Sequence, residues 1–199
     1  MSTMTTPQEL ANLILDLLPE QGDWSDQAYL WLTDRSNHLI ELTDGYIEVL
    51  PMPTQRHQAI LRFLFLAFHA YLQQHGGSVF FAPLRLQIRP GKFREPDLIL
   101  VQDAHDSRRQ DQYWLGADLV VEVVSPDNPE RDLVEKRRDY AEARIPEYWI
   151  VNPQDETIAV LRLEEIHYVE HHRYQRGTTP RSVLFPAFAV STSAVFNAN

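Results

Sequence analysis

One carboxylate stands inside an otherwise apolar run that is typical of a buried strand. Glu122 lies within residues 119–124, where every other residue is leucine or valine. Burying a carboxylate costs free energy unless it is paired, hydrogen-bonded or bound to a cation. Glu122 could instead have a purely structural role, as a glutamate at a strand end that turns outward to meet an arginine. Acidic residues are, however, uncommon among β-branched neighbours within a strand. The pattern favours a functional carboxylate at Glu122.

A second acid, Asp97, follows Pro96 and precedes the apolar run Leu98–Val101. Proline donates no hydrogen bond to a sheet, so it is typical of the first residue of a strand. Taken alone, Asp97 would be interpreted as a turn acid. If its strand neighbours that of Glu122, at a spacing of about 4.8 Å, the two carboxylates could surround one hard cation.

The third candidate is Lys136, in a helix predicted from about Pro129 to Ala143. Lys136 shares a helix face with Asp132 and Tyr140, at a spacing of four residues. Taken alone, an exposed Asp132–Lys136 ion pair worth a few tenths of a kcal/mol is the better explanation.

Apolar periodicity and turn signals predict the elements that must position these side chains. Helices are predicted over Gln8–Leu18, His57–His75 and Pro129–Ala143. Strands are predicted over Leu39–Leu42, Tyr46–Leu50, Ser78–Ala82, Leu84–Arg89, Asp97–Gln102, Leu119–Val124, Tyr148–Asn152, Thr157–Leu163 and His167–Tyr174. The order indicates an α/β or α+β fold with a mixed sheet.

Length and composition predict one domain over residues 1–199, with the Thr-rich residues 1–8 disordered. The absence of cysteine excludes disulfides and thiolate metal sites, and it suits a reducing compartment. Because no secretory signal and no run long enough to cross a bilayer is seen, we expect a cytoplasmic protein without membrane association.

The net charge of −10, from 18 basic and 28 acidic residues, argues against tight sequence-independent DNA binding. Acids clustered at a cation site would soften this objection, because the bound metal reverses the local sign. Basic residues are concentrated at Arg85, Arg89, Lys92 and Arg94 and at Lys136, Arg137 and Arg138. The simpler explanation of either cluster is a solvated face, and we favour that explanation for Arg137 and Arg138.

Several motifs together resemble a known family. They are Glu95-Pro96-Asp97, Glu122 to Pro126, Lys136 with Tyr140, Ile145 to Val151, and upstream Glu41 to Gly45 with Pro51, Pro53 and His57-Gln58. The set resembles the restriction-endonuclease-like family expanded in cyanobacteria, within the PD-(D/E)XK nuclease superfamily, from about Trp31 to Phe196. The resemblance implies a restriction-endonuclease-like mixed β-sheet core flanked by helices, with additional antiparallel strands.

The resemblance also implies a metal site. Asp97, Glu122 and the backbone carbonyl of Val123 would hold Mg²⁺, or Mn²⁺ in its place. The superfamily lysine normally lies two residues after the second acid, where this chain has Val124. In this family the lysine lies instead in the next helix, which points to Lys136. The resemblance implies that Lys136 orients the attacking water or offsets negative charge on the phosphorane.

Two upstream residues and a group of histidines complete the candidates. By the same resemblance, Glu41 would join the metal site, often through water. His57 would contact a phosphate or cap its helix. His167, His171 and His172 are expected at a solvated edge, because adjacent strand residues face opposite sides and make a poor chelate.

The implied function is a metal-dependent endonuclease that hydrolyses phosphodiester bonds in DNA. One alternative is a catalytically inactive nuclease-fold protein that acts as a binding or assembly module. A third is a hydrolase of another phosphoester. A homodimer would suit double-strand cleavage, and the tail, rich in Val, Phe and Tyr, could supply its interface.

Overall fold

The computed structural model describes Thr6 and residues 17–199. The predicted disorder of residues 1–8 and the predicted helix Gln8–Leu18 lie outside the described residues, apart from Thr6, Leu17 and Leu18. No helix in the described part of the chain is long and apolar enough to cross a membrane.

Within Thr6 and residues 17–199, the chain forms two mixed sheets and four α-helices. The helices are α1 (Asp26–Thr33), α2 (Gln55–His75), α3 (Lys136–Glu142) and α4 (Thr192–Phe196), and a π-helical turn over Arg131–Glu135 leads directly into α3. The strands are β1 (Ile40–Thr43), β2 (Tyr46–Val49), β3 (Ser78–Phe81), β4 (Arg85–Arg89), β5 (Lys92–Arg94), β6 (Leu98–Val101), β7 (Tyr113–Trp114), β8 (Leu119–Val123), β9 (Glu147–Asn152), β10 (Thr157–Glu164) and β11 (His167–Gln175). The predicted mixed α+β class is confirmed.

The larger sheet has the strand order β11-β10-β9-β8-β6-β3, and β8 and β9 are its parallel pair. The smaller sheet has the order β2-β1-β5-β4-β7, with β4 parallel to β7. A turn at Asp44 and Gly45 joins β1 to β2, as predicted, and both residues have positive φ. The short elements α1, β5, β7 and α4 were not predicted.

The C-terminal tail belongs to the core of its own chain. Its apolar side chains pack with α2 against one face of the larger sheet, and they include Phe185, Phe188, Val190, Val195 and Phe196. The ring of Phe188 stacks on Phe68 with centroids 3.9 Å apart. The chain's own core buries these apolar residues. The apolar tail is therefore no longer a reason to expect a dimer interface. The dimer itself stays a prediction.

Charged side chains join the smaller sheet to the π-turn and α3, and α3 packs on the larger sheet through Tyr140 and Ala141. Glu41 in β1 and Lys92 and Arg94 in β5 meet Arg131, Asp139 and Glu142 on the π-turn and α3, and we call these six residues the inter-sheet ion network. Arg94 binds both Glu41 and Asp139, so it lies at the centre of the network. The interpretation of the basic cluster at 85–94 as a solvated face is wrong, because Arg85, Lys92 and Arg94 are buried.

Strand direction brings the two candidate carboxylates together. Strands β6 and β8 are antiparallel, with Leu98 opposite Val121. The residue that precedes β6 and the residues that end β8 therefore lie at the same end of the sheet. Helix α2 begins at this end, and the π-turn follows β8 here. The fold places Asp97, Glu122, His57 and Lys136 around one point.

Candidate active site

A cleft of about 530 Å³ opens at this end of the larger sheet. Its walls come from the connections between α1 and β1, β2 and α2, β3 and β4, and β8 and the π-turn. Asp97, Glu122, Lys136 and His57 line it, and their side chains are only 15%, 2%, 7% and 13% exposed. The polar groups therefore lie at the bottom of the cleft.

Asp97 is held by two hydrogen bonds to one of its oxygens. Its Oδ2 accepts a hydrogen bond of 2.7 Å from the Val123 backbone N–H and one of 3.0 Å from His57 Nε2. Thr54 caps α2, and its hydroxyl accepts from the backbone N–H of His57, which fixes this residue in the first helical turn. His57 thus contacts the candidate acid directly, and the capping side chain is that of Thr54.

The imidazole of His57 is tuned by its surroundings. Burial by itself lowers the pKa of His57, but the hydrogen bond and charge of Asp97 outweigh it and raise the pKa above its usual value. His57 Nδ1 is buried, and it has no hydrogen-bond partner among the described residues. The contact with Asp97 therefore favours the protonated form of the ring.

Glu122 accepts a hydrogen bond at each oxygen. Its Oε2 lies 2.8 Å from Lys136 Nζ, and its Oε1 accepts a short hydrogen bond from the Tyr140 hydroxyl. Burial raises the pKa of Glu122, and Asp97 adds to the rise, while Lys136 opposes it. Burial also raises the pKa of Tyr140, so its hydroxyl keeps the proton that it donates.

Lys136 points into the cleft. Its Nζ also lies 3.2 Å from Asp132 Oδ1, and both residues are 5% exposed. The exposed-pair explanation is therefore wrong. Burial by itself lowers the pKa of Lys136, but Glu122 and Asp132 outweigh it and raise the pKa. Lys136 stays protonated at neutral pH, so it can act as a point charge and is excluded as a general base.

The π-turn helps to set this geometry. The backbone N–H of Lys136 bonds to the Arg131 carbonyl, five residues earlier, where an α-helix would use the fourth. The predicted helix over Pro129–Ala143 is thus present, with helical structure from Pro129 but with a widened turn at its centre. Asp132, Lys136 and Tyr140 share one face of this helix, as predicted, and that face is buried.

The backbone of Val123 offers a further oxygen. On one side of β8, the Val124 N–H bonds to the Val151 carbonyl of β9, so the N–H and carbonyl of Val123 face β6. The register Leu98–Val121 sets Pro96 opposite Val123, and proline has no N–H to donate to that carbonyl. Pro96 therefore leaves the Val123 carbonyl without its ladder partner, beside Asp97.

This donor set fits Mg²⁺. Mg²⁺ takes one or two carboxylates and keeps several waters, and Asp97, Glu122 and the Val123 carbonyl supply hard oxygen ligands of that kind. Within residues 17–199, no group of three or more His, Asp or Glu side chains is arranged to hold a metal ion. A cation here would therefore rely on the carbonyl and on water for the rest of its coordination.

Glu41 lies beside this group and has other partners. Its Oε2 binds Arg131 at 2.5 Å and Arg94 at 3.3 Å, and its Oε1 accepts from the Glu95 backbone N–H. Burial by itself raises the pKa of Glu41, but Lys136 and the two arginines outweigh it and lower the pKa. These contacts are those of a buried ion pair, and a role for Glu41 in metal binding stays a prediction.

The structure adds residues for which the sequence predicted no role in the site. Glu95 lines the cleft and is 3% exposed, and its Oε2 accepts from the Ile40 N–H. Burial raises the pKa of Glu95 to about 8, and the charge of Glu41 adds to the rise. Arg131 also lines the cleft, and it binds Glu48 and Glu41. The Glu95-Pro96-Asp97 motif could have indicated that Glu95 lies in the site. No sequence motif indicated that Arg131 lies there.

The remaining histidine candidates lie elsewhere. His167, His171 and His172 are exposed on β11, which is the edge strand of the larger sheet. The predicted solvated edge is confirmed.

Comparison with known proteins indicates a nuclease family and a nuclease-like fold. The profile of the Uma2 family, described as "Putative restriction endonuclease", matches residues 26–193. A crystal structure from Anabaena variabilis, described as a putative nuclease belonging to DUF820, is similar with a TM-score of 0.69. The similarity covers 84% of this chain and 96% of that chain at 17% identity, so it shows the fold alone. No functionally curated protein matches the chain.

Proposed function

The chain belongs to the Uma2 family, and we propose that it is a metal-dependent endonuclease that hydrolyses phosphodiester bonds in DNA. One observation carries the proposal. Two carboxylates, Asp97 and Glu122, converge with a buried, protonated Lys136 at the bottom of one cleft. This combination suits the stabilisation of a phosphorane whose negative charge increases during attack by water.

The charge of the cleft supports the dependence on metal. Its lining holds more carboxylates than cations: Glu48, Glu95, Asp97, Glu122, Asp127 and Asp132, against Arg85, Arg131 and Lys136. Burial raises the pKa of both Glu95 and Glu122 to about 8, and with both protonated four carboxylates still remain against these three cations. A phosphate would be repelled from such a site unless a bound cation reverses the local sign.

The side chains have separate roles in the proposed reaction. Bound by Asp97, Glu122 and the Val123 carbonyl, Mg²⁺ or Mn²⁺ would supply Lewis-acid activation of the phosphate and of the attacking water. Lys136 holds a positive charge next to the phosphate site and neutralises part of the charge of the transition state. His57 orients Asp97 through their 3.0 Å contact, and Tyr140 orients Glu122. Both orienting groups limit the rotation of the acids.

The test is cleavage of DNA in Mg²⁺ or Mn²⁺, with Asp97→Asn, Glu122→Gln and Lys136→Met compared with the unmodified protein. We expect each variant to lose about 10²–10³-fold in rate, the usual effect of removing one electrostatic contact to a transition state. Glu170→Gln is the matched control, because Glu170 is exposed on β11 and pairs with Arg173. Circular dichroism would check that each variant is folded.

A catalytically inactive binding or assembly module is the second candidate. Arg85, Arg131 and Lys136 each form an ion pair with a carboxylate, so these cations are already neutralised in the free protein. A folded protein that binds Mg²⁺ by calorimetry but cleaves neither DNA nor RNA would favour this candidate. Hydrolysis of nucleotides without cleavage of polymers would instead indicate a different phosphoester substrate.

A further inference from the structure

We propose that the cleft accepts an unpaired nucleic-acid strand and that the exposed ring of Phe81 stacks against one of its bases. The proposal rests on the proposed nuclease function and names its substrate class. It depends on the depth of the site, on the apolar rim of the cleft and on the pairing of the nearby cations.

The depth of the site is the first reason. Glu122 and Lys136 are almost fully buried, and the side chain of Asp97 is 15% exposed. A phosphate reaches them only by entering a cleft of about 530 Å³, which falls in the range of small-molecule pockets, roughly 300–1,000 Å³. A double helix presents its phosphates on a wide, stiff rod, whereas an unpaired nucleotide can bend into a pocket.

The rim of the cleft is the second reason. Apolar side chains line it, namely Leu39, Leu50, Met52, Phe81 and Pro83. Met52 is 74% exposed and Phe81 is 51% exposed. Exposed aromatic rings beside a nucleic-acid path are typical of sites for single strands, where bases stack without sequence preference. Contacts to a duplex are instead dominated by cations that bind its phosphates.

Phe81 is built as a supported platform. Its ring packs against the ring of Phe65 on α2 in a T-shaped arrangement, with centroids 5.0 Å apart and an interplanar angle of 88°. The preceding residue, Phe80, points the other way along β3, because it packs on Trp114 and lies under Arg109. Adjacent strand residues face opposite sides, so only Phe81 of the two lines the cleft.

Pairing of the nearby cations is the third reason. Arg85 binds Asp34, Arg89 binds Asp44 and Glu142, and Lys92 and Arg94 share Asp139. The net charge of the chain is −10. This basic cluster therefore offers no row of unpaired cations that could follow the backbone of a duplex. Stacking and the bound cation would supply the affinity.

The experiment compares binding of a fluorescein-labelled oligodeoxynucleotide with binding of its duplex, by fluorescence anisotropy in Ca²⁺. A matched oligoribonucleotide distinguishes single-stranded DNA from RNA. We expect the single strand to bind at least about tenfold more tightly than the duplex. Phe81→Ala should weaken single-strand binding roughly tenfold, and Phe81→Trp should retain it. Phe80→Ala is the matched control and should leave binding unchanged.

Equal binding of single strand and duplex, or no binding of a single strand, would overturn the proposal. So would an equal loss for Phe81→Ala and Phe80→Ala. Cleavage in Mg²⁺ is measured separately. If single strands bind through Phe81 but no nucleic acid is cut, the proposed hydrolysis fails while the substrate class stands. If duplexes are cut as fast as single strands, the substrate class fails while the nuclease function stands.

Discussion

Removing one hydroxyl group would test whether Glu122 is a metal ligand. The Tyr140 hydroxyl donates to Glu122 Oε1, and its ring packs on Tyr148 with centroids 5.1 Å apart. Tyr140→Phe keeps the ring and removes only the donor. A partner that orients a ligating carboxylate typically contributes about 10–100-fold to metal affinity. We therefore expect the affinity for Mg²⁺ or Mn²⁺ to fall by about that factor.

The same substitution has a cost in stability that can be separated from metal binding. A hydrogen bond to a charged group contributes about 1.5–3 kcal/mol, so the free energy of unfolding should fall by about that amount without metal. Tyr148→Phe is the matched control, because the Tyr148 hydroxyl is equally buried but donates to the backbone carbonyl of Asp132 at 2.9 Å. Its loss should cost about 0.5–1.5 kcal/mol and leave metal affinity unchanged.

Isothermal titration calorimetry with Mn²⁺ and urea unfolding in EDTA would measure the two effects. Equal metal affinities for Tyr140→Phe and the unmodified protein would refute the reasoning that Glu122 binds the cation in the orientation that Tyr140 sets. An equal loss of metal affinity in Tyr140→Phe and Tyr148→Phe would also refute it, because the effect would then be a general loosening of the core.

Two further predictions concern stability. Burial raises the pKa of Glu95 to about 8 from an unfolded value of 4.5, so the folded protein binds more protons between these pH values. The stability from this group is present below pH 4.5 and is lost as the pH rises through about 8, with a slope of at most about 1.4 kcal/mol per pH unit. Glu95→Gln should therefore be more stable relative to the unmodified protein at about pH 9 than at about pH 5, as urea unfolding in EDTA would measure. A difference that does not change with pH would contradict the assignment. Phe188→Ala should cost about 3–5 kcal/mol in the same assay, because Phe188 is 3% exposed and stacks on Phe68. The exposed Val169→Ala is its control, and a similar small change in both would show that the tail does not contribute to the core.

The predictable part of the site came from residues whose chemistry conflicts with their local sequence. Glu122 was identifiable because its neighbours are all apolar, and the structure buries it with Lys136 and Tyr140. Asp97 was identifiable only through its expected partnership with Glu122 and through the family resemblance, because alone it looked like an acidic residue in a turn. Lys136 depended on the family resemblance, because by spacing alone it looked like half of an exposed ion pair.

The unpredicted part depends on contacts between distant segments. Strand β5 consists of Lys92, Phe93 and Arg94, a composition typical of an exposed loop, yet all three residues are buried. Its charges are neutralised by Asp139 and Glu41, which lie far away in the sequence. The π-turn was equally unpredictable, because the local sequence is compatible with a regular α-helix. Neither feature has a local pattern that could have indicated it.

The inter-sheet ion network makes the alignment of the two sheets directional. Apolar surfaces can slide or rotate on each other at little cost, whereas an arginine bound to two carboxylates tolerates little change in distance or angle. Arg94 is bound in this way by Glu41 and Asp139. The rigid alignment extends to the cleft, because Arg131 joins the same network and lines the cleft wall. The width of the cleft is thus coupled to a set of charges behind it. Loss of the Asp139 carboxylate would leave Lys92 with Glu142 and Arg94 with Glu41, and so would weaken both anchors at once.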